Sequence, residues 1–101
     1  MIQFKLKFLW LDKSLAFALD EKIGEKINPI TEYFFWPRAD AWEELKVELE
    51  KKSWISINES IDILNQTTEI INYWEEKNTK KNIKLNEIEE KFPNCTFISH
   101  N

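Results

Sequence analysis

Glycine is almost missing from this 101-residue chain, with Gly24 as its single instance. Rossmann and P-loop phosphate cradles need several glycines at fixed spacing, so both are excluded. Cysteine occurs once, at Cys95, and histidine once, at His100. One cysteine forms no internal disulfide, in keeping with a reducing compartment. A lone Cys and a lone His also cannot supply a Cys/His metal site. No stretch approaches the roughly 20 apolar residues that span a bilayer. The first residues carry lysines within an alternating pattern and lack the composition of a signal or transit peptide. The protein is therefore expected to work in the compartment where it is made.

Arginine is scarce as well, Arg38 standing alone against thirteen Lys, thirteen Ile and nine Asn. Lys, Ile and Asn have A/T-rich codons, so the skew points to an A/T-rich genome such as an organelle's. What the chain does have is apolar and aromatic mass: 43% hydrophobic and 14% aromatic residues, including five Trp and seven Phe. That is enough for one core and argues against disorder. Acids outnumber bases by 18 to 14, giving a net charge of −4. This disfavours unselective nucleic-acid binding, which needs many cationic contacts to phosphate. A few placed contacts remain compatible with it.

The opening segment alternates: Phe4, Leu6, Phe8 and Trp10 share one face, and Gln3, Lys5 and Lys7 the other. This is the period of a half-buried strand. Leu15, Phe17 and Leu19 alternate in the same way beyond Asp12-Lys13-Ser14, predicting a hairpin. A helix over residues 14–23 stopped by Gly24 is the alternative, because Leu15, Leu19 and Ile23 also fit four-residue spacing. Residues 25–30 read as a connector, and residues 31–36 as an aromatic run closed by Pro37. Asp40 with Glu43, and Ser56 with Glu59, are helix-capping pairs. They predict helices from about residue 41 to 52, with Trp42, Leu45 and Leu49 inward, and over about residues 58–77. For the second helix Ile57, Ile61, Leu64, Thr68, Ile71 and Trp74 or Glu75 form the expected apolar stripe, widened by Ile63 and Ile70. Residues 78–82 read as a solvated link. Leu85, Ile88 and Phe92 suggest a short helix ended by Pro93, followed by an edge strand or tail over residues 95–98.

The expected fold class is α+β: an N-terminal β-hairpin packed on two main amphipathic helices, with a small C-terminal helix/strand appendage. Residues 1–77 are read as a single domain, and residues 78–101 as a lysine-bearing link and the appendage.

Catalysis has little to build on. The acidic pairs Glu43/Glu44, Glu75/Glu76 and Glu89/Glu90 are adjacent on helices, where neighbours point about 100° apart. His100 lies in a fraying tail, and Cys95 has no activating base nearby in sequence. No catalytic residue, metal ligand or cofactor is expected. The segment from Glu32 to Trp42, EYFFWPRADAW, is more informative. Consecutive aromatics on an extended backbone occupy both faces; one face can join the core and the other must meet a partner, the chain's own tail or water. Packing of the whole run into the core is the competing reading. Arg38 beside exposed aromatics would make a phosphate contact and stacking platform for unpaired RNA.

EYFFWPRADAWEELKVELEKKSWIS, followed by ILNQTTEIINYWEE, resembles the plastid-specific 30S ribosomal protein 3 family of chloroplast and cyanobacterial small ribosomal subunits. The likeness spans roughly residues 2–76, more loosely in FLWLDKSLAFALD. It implies a structural component of the chloroplast small subunit that binds 16S ribosomal RNA and neighbouring ribosomal proteins. It also implies no chemistry, membrane, small-molecule substrate or homo-oligomer. A plastid-encoded protein would explain the codon skew; the cyanobacterial cytoplasm is the alternative location. A soluble adaptor that docks proteins through the aromatic segment and acidic helix, without RNA, is the competing function.

Charge placement narrows the candidate contacts. Lys5, Lys7 and Lys13 outweigh Asp12 at the start, residues 53–76 hold five acids and no base, and Lys77, Lys80, Lys81, Lys84 and Lys91 outweigh three Glu beyond them. Candidate RNA contacts are Lys5, Lys7, Arg38, Lys77, Lys80, Lys81 and Lys84, with Tyr33, Phe34 and Trp36 as candidate protein-interface residues. The acidic helix would face solvent or a basic protein, since phosphate beside it is repelled.

Overall fold

A computed structural model describes residues 2–11, 13–38, 40–80 and 85–99. The predicted hairpin is present. β1 (Ile2–Trp10) and β2 (Leu15–Ile23) pair antiparallel along their whole lengths, Phe8 opposite Phe17 and Leu6 opposite Leu19. That register puts every large apolar residue of the alternation on one face, where a slip of one residue would expose them all. Residues 25–30, read as a connector, instead contain a third strand. β3 (Lys26–Pro29) turns back on β2 through a two-residue loop, with Gly24 at a φ of 60°. Glycine reaches that left-handed conformation without the penalty a Cβ imposes.

The aromatic run forms β4 (Phe34–Trp36), which pairs antiparallel with Leu15–Phe17 on the edge of β2 that β3 has left. Thr31 covers the change-over: its Oγ1 accepts the Leu19 amide at 3.0 Å, while the amides of Ile30 and Thr31 donate to the Leu19 carbonyl. α1 (Ala41–Lys51) follows, started by the Asp40 carboxylate accepting the Glu43 amide. α2 (Ile57–Lys80) opens with the full reciprocal cap, Ser56 and Glu59 each bonding the other's amide. α3 (Leu85–Lys91) and β5 (Thr96–Ser99) complete the chain.

β5 lies parallel to β1 across Lys7–Trp10, so the path through the sheet runs β3-β2-β1-β5, with β4 beside β2. The C-terminal helix and strand are thus tied to the first strand. Ile88, Phe92 and Phe97 enter the same core as Phe8, Phe17 and Leu45. Two stacked rings, Phe8 and Phe97, lie 5.4 Å apart within it. The stretch read as a solvated link begins inside α2, which continues to Lys80; residues 81–84 lie outside those described.

The stripe expected on α2 is present from Ile63 onward, but its first turn faces out and its centre is shifted. Ile63, Thr67, Ile70, Ile71 and Trp74 are buried, whereas Ile57 and Ile61 are 78% and 51% exposed. Both sets repeat at helical spacing, and the helix carries more apolar residues than one face holds. The sheet decides between them: Trp74 anchors the orientation by donating its indole N–H to the Leu11 carbonyl beyond the end of β1. Thr67 fits this dry face because its hydroxyl donates to the Ile63 carbonyl one turn back, at 2.8 Å.

Candidate functional site

Strand alternation gives the sheet two faces. The inner one, carrying Leu6, Phe8, Trp10, Leu15, Phe17, Leu19, Phe34 and Phe97, is sealed in the core with the helices. The registers place Gln3, Lys5, Lys7 and Leu9 of β1 on the outer face with Ala16, Ala18, Asp20 and Lys22 of β2. Phe35 joins them opposite Ala16, and Thr96 and Ile98 opposite Lys7 and Leu9. Ala16 and Ala18 are fully buried on this face. Each methyl sits in a trough between taller neighbours on the flanking strands. The result is a shallow apolar row, Phe35–Ala16–Leu9–Ile98, whose two ends are 43% and 46% exposed.

Beside that row stands an electrostatic one. Lys7 pairs with the Asp20 carboxylate at 2.9 Å and sits 5.2 Å from the centre of the Tyr33 ring. The pair is largely shielded from water, so Lys7 balances the charge of a buried acid as well as offering charge at the surface. Arg38 is exposed and borders, with Tyr33, Phe35 and Glu44, a hollow of about 440 Å³. The expected neighbourhood of Arg38 and exposed aromatics is therefore present. Lys5 shares the outer face but lies at the side of β1 nearer Cys95.

The aromatic candidates divide differently from the sequence reading. Tyr33 is half-buried on the outer side. Phe34 is turned into the core, and Trp36 is half-buried, its indole N–H donating to Glu75 at 3.0 Å. Neither faces outward. Phe35, one residue out of phase, holds that position, because β4 pairs with β2 in the register that makes residue 34 an inward one. Lys22, Leu9 and Ile98 also join the face; the alternation of β2 was a signal for Lys22, but only the strand order brings Ile98 next to Leu9. Lys77 and Lys80 fall in the last turn of α2, and Lys81 and Lys84 lie outside the described residues.

The helical layer carries an acidic stretch: α2 from Ile57 to Glu76 has five acids and no base. Two tryptophans lock that layer to the strand-to-helix turn. Trp36 reaches Glu75, and Trp42 donates to Thr68 Oγ1 at 2.9 Å while the Thr68 hydroxyl donates to the Leu64 carbonyl. The Asn65-Gln66-Thr67-Thr68 run thereby resolves into separate roles, since Gln66 bonds Asp62 and approaches Cys95, and Thr67 is core.

Cys95 is half-buried, and its thiol is pushed up to about 11, by burial first and by the Asp62 charge second. The thiolate needed for nucleophilic chemistry is thus suppressed at neutral pH. Among the described residues no group of three or more His, Cys, Asp or Glu side chains is placed to hold a metal, and no helix is long and apolar enough to cross a membrane.

Residues 30–77, which contain β4, α1 and most of α2, match the family model described as plastid and cyanobacterial ribosomal protein (PSRP-3/Ycf65). Similar over its full length is a protein from Gracilaria tenuistipitata var. liui named small ribosomal subunit protein cS23. It is 55% identical over 101 residues, covering all of both chains. A protein of the same name from Mesostigma viride is 58% identical over 94% of this chain and 76% of its own. One from Synechococcus sp. (strain JA-2-3B'a(2-13)), named probable small ribosomal subunit protein cS23, is 50% identical over 92% of each.

Proposed function

The chain belongs to the plastid and cyanobacterial ribosomal protein family (PSRP-3/Ycf65), and on that premise we propose that it is a structural constituent of the chloroplast small ribosomal subunit. In this reading it binds 16S ribosomal RNA through the open face of its sheet and neighbouring proteins through its helical layer, and it catalyses nothing.

One observation carries the reading: the fold sorts the charges by layer. A net charge of −4 spread evenly would repel RNA, but among the described strand residues Lys5, Lys7 and Lys22 share the outer sheet face with one acid, Asp20. Arg38 stands at its margin beside Phe35 and Tyr33, in a hollow that Glu32 and Glu44 also border. The acids of α2 belong to the helical layer, and of them Glu59 and Asp62 approach the sheet only at its β1 edge, beside Lys5. An open face with cations and exposed rings suits a few phosphate contacts together with stacking of an unpaired base. Lys77 and Lys80 fall in the last turn of α2, and Lys81 and Lys84 follow them in the sequence, a second positive stretch.

Sedimentation of plastid extract, with the chain followed by antibody, tests this. Co-migration with free small subunits that persists through a moderate salt wash is expected. Recovery only at the top of a low-salt gradient would sink the proposal. An adaptor docking through apolar surface alone would be nearly indifferent to salt, whereas a handful of phosphate contacts gives a small negative slope of log affinity against log salt.

A further inference from the structure

β5 pairs with β1 only across Lys7–Trp10, so residues 2–6 of β1 have a ladder partner on the β2 side alone among the described residues. Alternate residues of such a half-paired strand turn N–H and C=O groups outward. An uncovered edge of this kind is a template for another strand. This edge is also not open on all sides. Between it and α2 runs a slot of about 290 Å³, bordered by Gln3, Lys5, Glu59, Asp62, Gln66 and Asn94.

The charge of the slot selects an occupant. Its α2 wall presents two carboxylates three residues apart, which places them as neighbours on one helix face. Glu59 Oε1 accepts the Ser56 amide and Asp62 Oδ2 accepts the Gln66 amide nitrogen. Each carboxylate keeps its other oxygen without a partner among the described residues. Among the described residues Lys5 is the one base bordering the slot. We propose that the unpaired edge of β1 takes up, by strand addition, an extended basic segment of a neighbouring protein. Its backbone continues the line of β5 along residues 2–6, and its alternate lysine or arginine side chains reach Glu59 and Asp62. RNA is the wrong occupant, because phosphate would stand against both carboxylates.

The full-length protein in solution tests this without a ribosome, so failure here and failure of the sheet-face reading are distinguishable. The probe is a short fluorescent peptide alternating lysine with valine. Binding is expected to raise amide hydrogen-exchange protection at Gln3–Leu6. Backbone N-methylation of the peptide at alternate positions should abolish that protection while leaving its charge unchanged. Glu59→Gln with Asp62→Asn should weaken binding by about tenfold or more. The glutamine retains the α2 cap, and an unchanged circular dichroism spectrum would show that the variant folds. The proposal is overturned if the peptide does not bind, if it binds without protecting those amides, or if a glutamate–valine counterpart binds equally well. Protection of the same amides by an oligouridylate would overturn it too.

Discussion

The two faces of one sheet make the most instructive contrast in this molecule. The same nine residues of β2 supply Leu15, Phe17 and Leu19 to one side and Ala16, Ala18 and Asp20 to the other, and all six are buried. Burial therefore has two different causes. On the inner face large side chains exclude water by filling the space under the helices. On the outer face small ones are overshadowed by Tyr33, Phe35, Lys7 and Leu9, whose own outer surfaces stay accessible. Inner-face residues answer to the fold, and outer-face residues can answer to a partner. Substitutions that separate the two demands should differ in size and in what they damage.

The largest loss is expected on the inner face. Phe17→Ala removes a fully buried ring that packs 5.9 Å from Phe8. It should cost about 3–5 kcal/mol in urea-unfolding stability. A loss below about 1 kcal/mol would mean that the two faces are less distinct than the packing shows.

Lys7 tests the boundary between the faces, since it is both an outer-face cation and the partner of Asp20. Lys7→Met leaves a carboxylate that is mostly out of water without its counter-charge. A cost of about 1–3 kcal/mol is expected, less than for a fully buried pair because some solvent reaches this one. Lys7→Met combined with Asp20→Leu should regain most of it. Were Lys7 only a phosphate contact, the single variant would keep its stability and the second change would regain nothing.

The contrast also explains how far the sequence alone could go. The hairpin, both capped helices and the short C-terminal helix and strand follow from local signals: a period of two, capping pairs, and Pro93 as a stop. The face of α2 that turns inward does not. The expected stripe joined Ile57, Ile61 and Leu64 to Ile71 and Trp74 with Ile63 and Ile70 at its side, and only the position of the sheet beneath shows that the Ile63/Ile70/Trp74 side is the buried one. The same holds at the aromatic segment. That one side would pack and the other stay exposed was legible in YFFW; that the exposed ring is Phe35 depends on how β4 pairs with β2, a long-range fact. β3 was hidden because Lys26–Pro29 is exposed throughout and shows no alternation to read. The layer-by-layer charge separation was visible only as blocks along the chain.

Cys95 lies where β5 meets the edge of β1, between the faces, and gives the comparison a pH test. Its thiol titrates near 11 in the fold, above the free-cysteine value of about 8.5. A pKa raised by folding supplies stability that is complete below the unfolded value and is lost as pH climbs through the folded one. Between about pH 9 and 11 the protein should therefore lose roughly 1–2 kcal/mol more than its Cys95→Ala variant, a figure discounted for the partial exposure of the thiol. Parallel unfolding curves of the two proteins across that range would contradict the shift. Below pH 8, alkylation of Cys95 should be slow for the same reason.

Trp42 shows how the strand-to-helix turn is held to the acidic layer. Trp42→Phe keeps most of the ring volume and removes the N–H that Thr68 accepts. About 1 kcal/mol of stability should go with that bond. Thr68→Val should cost about as much and add little to the first change, because both remove the same contact. Full additivity would mean that the tryptophan acts by bulk alone.

The smallest effect on folding is expected at Phe35, and it is the sharpest test of what the outer face is for. The ring is 43% exposed and packs over an alanine, so Phe35→Ala should change stability by no more than about 1 kcal/mol. If the face stacks an unpaired base, the same substitution should weaken association with small subunits by about tenfold, because stacking on one aromatic is worth roughly 1–3 kcal/mol. Phe35→Trp should preserve association, and Phe35→Leu should not, although both remain apolar. Equal behaviour of the tryptophan and leucine variants would show that the face offers bulk to a protein neighbour rather than a ring to RNA. Phe17 and Phe35 lie on paired strands, one residue out of register and on opposite faces of the sheet, yet one would then be needed for folding and the other only for assembly.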